Sequence, residues 1–367
     1  MKIAISAAET SGDLIAASLV KSLKEHQPEY EIEGLAGDKM IEAGCKSLWH
    51  SDEVNVMGLS EVIKKLPQVL RLRKSMISHY SSNRPDIFIG VDSPDFNMFF
   101  HKRLKDLGIK TVQVVSPSVW GWRENRIKAI SSFIDLTMCL FQFEHDYYQA
   151  KNMNSFFLGH PFSELKPTAS NDVLEKYKLN GSLDFTCILP GSRKSEILHM
   201  MPIFIQAAER IYDLNPNAFF LIPAANNELK ALIQSTLEKT SFNYQLTSSA
   251  AKDYLSISKI SIVTSGTASL EAAVLGSLPI ICYKTNTFNY AILSRMLKTP
   301  FIGLPNLLLQ QHVFPELVQY ELNPEAIAHH YENLSLDPHK YQSQIEEMNT
   351  AMQGKGFEEA AHLLLSF

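Results

Sequence analysis

Short apolar runs rich in β-branched residues alternate with amphipathic stretches along nearly all of this 367-residue chain. A run that is apolar at consecutive rather than alternate positions suits a strand buried on both faces. Strand followed by helix, repeated, predicts βαβ units around a parallel sheet. In the first 160 residues the strand signals fall at 2–6, 87–91, 111–115 and 134–140, with a weaker one near 31–36. Amphipathic stretches follow at 12–25, 60–80, 97–107 and 122–132. Gly159, Pro161, Pro167, Ser170 and Asn171 then break the pattern, so 159–171 reads as a linker.

Alternation restarts beyond it. Strands are expected at Phe185–Leu189, Ala218–Ile222, Ile260–Val263 and Pro279–Tyr283, and helices at 195–213, 226–239, 267–275 and 288–297. A chain of 367 residues exceeds what one hydrophobic core usually supports, which predicts two domains, 1–164 and 165–339. Two such halves on a short linker imply a ligand cleft between them. The last segment is helical by pattern (Ile345, Met348, Met352, Ala360, Ala361, Leu364). Pattern alone leaves open which half it packs on; a helix over 340–367 completing the first domain is one arrangement.

Composition narrows the function. With 45% apolar and 20% charged residues and a net charge of −5, the chain is an ordinary globular protein, with no basic stripe, RNP-like motif or zinc-finger spacing to suggest a nucleic-acid partner. Cys45, Cys139, Cys187 and Cys282 lack CxxC spacing, which speaks against a zinc site or disulfide framework and fits a reducing cytoplasm. The N-terminal run Lys2–Ser6 is too short for a signal peptide and reads as a strand. No segment reaches the roughly 18 uninterrupted apolar residues a bilayer span needs. A soluble protein, or one lying on a membrane surface, is expected.

Four junctions carry polar residues of chemical interest. Asp92 follows the run Ile87–Val91, and Pro94 forces the chain out of the strand just beyond it. Ligand crevices of open α/β sheets face the carboxyl ends of strands, so a general base is expected at Asp92. The loop Ala8-Glu-Thr-Ser-Gly-Asp13 either offers N–H groups of Ser11 and Gly12 to an anion or is simply a helix N-cap by Thr10 or Ser11. It is not a dinucleotide fingerprint. Gly191-Ser192-Arg193 follows a strand and precedes a helix. Gly permits close backbone approach and Arg binds phosphate bidentately, although an ordinary capped junction fits equally. Ser265-Gly266-Thr267 repeats that arrangement, with Glu271 one turn into its helix.

Taken together, these segments resemble the lipid-A-disaccharide synthases. The matching stretches are Glu9-Thr-Ser-Gly-Asp13, Val56-Met-Gly58 with Glu61-Val62, Ile89-Gly-Val-Asp-Ser-Pro-Asp-Phe-Asn97 and Val115-Ser-Pro-Ser-Val-Trp-Gly-Trp122. They continue with Leu158-Gly-His-Pro161, Leu189-Pro-Gly-Ser-Arg193 with Glu196, Ser265-Gly-Thr-Ala268 with Leu270-Glu271, Leu304-Pro-Asn-Leu307 and Pro315-Glu-Leu-Val-Gln319. Ala8 stands where the family usually has Gly, and Gly121 where it often has Ala; neither removes a functional group.

The resemblance implies a GT-B α/β fold, two Rossmann-like domains facing each other across a cleft. It implies transfer of 2,3-diacylglucosamine from its UDP derivative to the 6-hydroxyl of 2,3-diacylglucosamine 1-phosphate. That reaction inverts the anomeric centre, makes a β-1,6 link and releases UDP. Asp92 is then the base, with Asp95 the alternative candidate, better suited to capping the turn. Asn97 orients base or acceptor. Arg193, Ser192 and the 265–267 backbone meet the leaving diphosphate, Glu271 the ribose hydroxyls, and Asn306, Glu316 and Gln319 the donor sugar or phosphate. No metal or cofactor is expected, since the UDP-sugar is a substrate. Trp120 and Trp122 read as core or interface aromatics, and His160 as a hinge residue.

Between residues 59 and 77, Val62, Ile63, Leu66, Val69 and Leu70 lie beside Lys64, Lys65, Arg71, Arg73 and Lys74. An apolar stripe flanked by cations fits a helix lying on an anionic membrane or facing acyl chains. The alternative is a core helix with snorkelling cations, and Pro67 speaks against one unbroken helix. The implied setting is the cytoplasmic face of the inner membrane, peripherally bound, with a homodimer as one option. A UDP-N-acetylglucosamine 2-epimerase on the same architecture and a non-catalytic UDP-sugar binding protein are the competing readings.

Overall fold

The computed structural model describes residues 1–54, 59–117, 127–285 and 299–367, with the backbone alone at Thr10, 59–65, Lys128 and Ala129. The stretch Val56–Gly58, the segment from Ser118 through Trp120 and Trp122 to Arg126, and the helix expected at 288–297 lie outside the described residues. The chain divides into two compact units, Met1–Pro161 with Ala351–Phe367, and Phe162–Thr350.

In the first unit, β1 (Lys2–Ala7), β2 (Glu31–Ala36), β3 (Lys46–His50), β4 (Ile87–Val91), β5 (Lys110–Val114), β6 (Leu136–Cys139) and β7 (Ser155–Phe157) form a parallel sheet in the order β3-β2-β1-β4-β5-β6-β7. The central strands are buried along almost their whole length, as consecutive apolar residues require when helices cover both faces. Strand order reverses between β1 and β4, which pair from Ile3↔Ile87 to Ala7↔Val91. That reversal opens a crevice at the carboxyl edge, where ligands of such sheets bind. The helices are α1 (Thr10–His26), α2 (Asp38–Glu42), α3 (Leu59–Ser82), α4 (Pro94–Lys105), α5 (Ile127–Phe133) and α6 (Gln142–Gln149). Leu72, Met76 and Tyr80 of α3 and Phe100 and Leu104 of α4 pack with Phe88 into one apolar cluster.

The second unit repeats the plan. Strands β8 (Asp184–Leu189), β9 (Ala218–Ala224), β10 (Tyr244–Ser248), β11 (Ile260–Thr264), β12 (Leu278–Tyr283) and β13 (Glu316–Val318) lie parallel in the order β10-β9-β8-β11-β12-β13. Reversal here falls between β8 and β11. Helices α7 (Ser170–Tyr177), α8 (Lys194–Leu214), α9 (Asn227–Thr236), α10 (Ala251–Ile257), α11 (Thr267–Val274), α12 (Leu304–Leu309), α13 (Pro324–Leu336) and α14 (Gln342–Ala351) accompany it.

The structure departs from the sequence expectations in three respects. The helical pattern over 339–366 is two helices, α14 in the second unit and α15 (Gly356–Ser366) in the first, where Met352, Ala360, Ala361 and Leu364 are fully buried. α7 begins within the expected linker. α3 runs unbroken through Pro67, because that residue is exposed and water can serve the backbone ladder it interrupts.

Candidate active site

At the reversal in the first sheet, the turns after β1, β4 and β5 are stitched together. Asp92 and Ser93 take left-handed backbone angles (φ 53° and 38°), and so does Val115 after β5 (φ 69°). Left-handed geometry in a β-branched residue is an outlier that costs on the order of 1–3 kcal/mol, and such strain gathers at functional sites. Three adjoining contacts hold it. The Asp92 N–H donates to the Val114 carbonyl at 2.9 Å, and the Val115 N–H to Met138 at 3.0 Å. Ser93 Oγ donates to Glu9 Oε1 at 2.8 Å.

Asp92 itself is half-buried. Ser11 Oγ donates to its Oδ2 at 2.8 Å, across 81 residues of sequence. Ser11 therefore does not cap its helix: the cap position is Glu9, with no side-chain cap bond. Gly12 lets this happen, since a Cβ there would stand 3.2 Å from both the Asp92 Cβ and the Val91 carbonyl. Asp13, at the end of the same loop, is structural, its carboxylate receiving the N–H groups of Gly37, Lys39 and Met40. Asp95 is exposed in the first turn of α4, with its carbonyl taken by Arg73 at 3.1 Å.

Beneath Asp92 runs a fully buried polar column. Asn97 Nδ2 donates to the Asp92 carbonyl at 2.9 Å. Gln113 Nε2 faces the carbonyls of Val114, Val115 and Asp92 at 2.9, 3.2 and 3.3 Å. With its amide hydrogens committed to carbonyls, Gln113 Oε1 must accept, so His101 presents Nε2–H to it at 2.8 Å. Burial holds the His101 pKa down at about 4, leaving the ring neutral. Gln113 and His101 thus position Asp92 and Val115 through their backbones. Neither was singled out in sequence, although a glutamine inside a buried central strand signals a polar partner.

In the second unit, the two hydroxyl-and-glycine turns lie at the reversal between β8 and β11 and open α8 and α11. Gly191 (φ 114°) has no room for a side chain: a Cβ would fall 2.5 Å from Glu196 Oε2. That oxygen receives the N–H groups of Ser192 at 3.0 Å and Arg193 at 3.2 Å, while Oε1 takes Arg193 Nη1 at 2.9 Å. The Arg193 side chain is 61% exposed, so this ion pair is weak and readily exchanged for an anion. Ser265 Oγ is committed to the Ile302 carbonyl at 2.7 Å, whereas Gly266 and Thr267 are exposed. The first turns of both helices present N–H groups without intrahelical partners. Glu271 is half-buried, its carboxylate receives no hydrogen bond among the described residues, and its pKa is raised by burial.

Three other expected ligand contacts are occupied within the protein. Asn306, fully buried, bonds Phe314 and Glu316 through Nδ2 and the N–H groups of Val313 and Phe314 through Oδ1. Glu316 receives the N–H groups of Ile302 and Gly303 at 2.9 and 3.0 Å. Gln319 clasps the backbone of Thr285. They shape the walls beside the β12 end.

On α3, Leu66 and Leu70 are 49% and 54% exposed, with Arg71 and Lys74 exposed beside them. Val69, expected on the same surface, is half-buried against the core cluster, one turn from Leu72. Arg73 also turns away, its guanidinium over Phe96 and Phe99 at 5.3 and 5.0 Å. The side chains of Val62 and Ile63 lie outside the described residues.

Two parallel α/β units, each with its polar turns at the strand-order reversal, define a protein of the GT-B type. Solved structures agree at the level of fold. UDP-N-acetylglucosamine 2-epimerase from Neisseria meningitidis, bound to UDP-GlcNAc, superposes with a TM-score of 0.63 at 13% identity, over 100% of this chain and 99% of that one. The calicheamicin glycosyltransferase CalG4 gives 0.61 at 10% identity, over 100% and 97%. In sequence, the family described as Lipid-A-disaccharide synthetase matches residues 3–364. The lipid-A-disaccharide synthase of Saccharophagus degradans is 36% identical over 356 residues, 96% of this chain and 92% of the relative. That of Cellvibrio japonicus is 38% identical over 334 residues, 89% and 86%. The chain belongs to the lipid-A-disaccharide synthase family and is a glycosyltransferase of lipid A biosynthesis.

Proposed function

We propose that this enzyme joins UDP-2,3-diacylglucosamine to 2,3-diacylglucosamine 1-phosphate with inversion, forming the β-1,6-linked disaccharide 1-phosphate and UDP. The observation that carries the reading is Asp92: a strained, half-buried carboxylate at the strand-order reversal, oriented by Ser11. Its Oδ1 receives no hydrogen bond among the described residues, leaving it open to a substrate hydroxyl. As O6 of the acceptor attacks C1 of the donor, Asp92 takes the O6 proton. The bond from C1 to the diphosphate breaks, and its electron pair leaves with UDP.

Arg193, released from Glu196, meets that charge together with Ser192 and the N-termini of α8 and α11. Glu271 accepts from the ribose hydroxyls. Asn306, Glu316 and Gln319 act by fixing the loops they clasp. Leu66 and Leu70 face acyl chains or the inner-membrane surface, and the exposed cations favour anionic lipid.

Incubation with both lipid substrates, scored for UDP release and disaccharide mass, tests the reaction; UDP-N-acetylglucosamine alone, scored for the manno epimer, tests the epimerase alternative. Asp92→Asn should lower turnover by roughly two to four orders of magnitude with UDP affinity unchanged. Arg193→Lys should weaken UDP binding by calorimetry, because an ammonium cannot reproduce the bidentate fork. Normal turnover in folded Asp92→Asn removes that residue as base.

A further inference from the structure

α15 closes the first unit by lying along α1. Glu358 and His362 are one turn apart on α15 and so share a face. His26 sits in the last turn of α1. The rings of His26 and His362 have centroids 4.0 Å apart, inclined at 55°. Donor atoms of His26, Glu358 and His362 all lie within 4.8 Å of one another. None of the three side chains has a hydrogen bond or ion pair to any other described residue.

We propose that His26, Glu358 and His362 bind a divalent transition-metal ion, zinc by preference, which clips the C-terminal helix to α1. Two imidazoles and a carboxylate suit zinc, nickel or copper and not magnesium, which takes oxygen ligands. Donors about 2.0–2.2 Å from a tetrahedral ion stand roughly 3.3 Å apart. Side-chain rotation at these exposed or half-exposed positions suffices to close from the observed spacing. The C-terminus of α1 also carries the negative end of its dipole, which favours a cation.

The site is structural. His26 lies about 22 Å along α1 from Ser11, far from the turns around Asp92. The segment it would secure is the one whose backbone holds the end of β7: the His160 N–H donates to Met352, and the N–H groups of Lys355 and Gly356 donate to Phe157 and Leu158. An ion that binds only the folded unit stabilises it by mass action.

The test titrates untagged, chelator-stripped full-length protein with zinc chloride by calorimetry, beside His26→Ala, His362→Ala and Glu358→Gln, with magnesium chloride as control. One zinc per chain is expected, with affinity falling roughly tenfold or more in each histidine variant. Zinc should raise the thermal midpoint of the unaltered protein by several degrees and leave both histidine variants where they were. Unchanged near-ultraviolet circular dichroism shows that the variants are folded. No saturable binding at micromolar zinc, or binding undiminished in both histidine variants, overturns the proposal.

Discussion

Asp92, Ser93 and Val115 each hold a backbone angle that their side chains disfavour; the buried amides of Asn97 and Gln113 bond the carbonyls of Asp92 and Val115, and Glu9 takes the Ser93 hydroxyl. Gln113→Leu keeps the bulk but removes the amide's bonds to the Asp92, Val114 and Val115 carbonyls and leaves the His101 Nε2–H without its acceptor. We expect kcat to fall about tenfold or more with little change in UDP affinity, measured well below the melting range; an unchanged kcat would show that the column only supports the fold. Two buried histidines, His101 in that column and His160 after β7, make the first unit acid-sensitive. Histidine titrates near 6.5 in an unfolded chain, whereas burial keeps His101 and His160 neutral down to about 4. Between those values the unfolded state binds more protons. Stability that is fully present above pH 6.5 is therefore lost as pH falls through that window, by about 3 kcal/mol per histidine at its lower end. Trp49, Trp120 and Trp122 all belong to the first unit, so tryptophan fluorescence isolates it. Its urea midpoint should drop between pH 7 and pH 5, and His101→Gln should flatten the slope.

Among the described elements, the four strands without a sequence signal are β3, β7, β10 and β13, the two edges of each sheet. Central strands must be apolar on both faces, which writes them plainly into the sequence; edge strands are short and half-solvated, so Lys46–His50 or Ser155–Phe157 looks like loop. The helix α3 shows the converse. Its apolar excess was legible, but only packing separates Leu72, Met76 and Tyr80, which face the core, from Leu66 and Leu70, which do not. Leu66→Ser with Leu70→Ser should leave the fluorescence melting midpoint nearly intact while weakening co-sedimentation with anionic vesicles and turnover on diacylated substrates. Leu72→Ser, by contrast, should cost on the order of 2–5 kcal/mol. A double variant that unfolds would return that surface to the core.

On the scale of the whole molecule, the first unit is discontinuous: residues 351–367 come back to it after the second unit is complete. Met352, Ala360, Ala361 and Leu364 are fully buried there. Truncation after Thr350 should therefore abolish the cooperative tryptophan transition and leave the second unit's own transition visible by circular dichroism. Two intact transitions in the truncated chain would show that α15 is dispensable.

Periodicity and turn chemistry are local properties, and from them the sequence by itself determined a parallel α/β architecture repeated twice. It also determined that the turns at Ser11–Gly12, Asp92, Gly191–Arg193 and Ser265–Thr267 end strands. What paired those turns was strand order: the reversal between β1 and β4 sets the first two side by side in one unit, and that between β8 and β11 the last two in the other. Ser11 reaches Asp92 across 81 residues, and Gln113 reaches it from the neighbouring strand. Asn306, Glu316 and Gln319 are each tied to backbone groups that no local pattern names as their partners. Such hydrogen bonds between residues far apart in the chain leave no periodic trace, so the partners of a buried polar group were decided by tertiary structure alone.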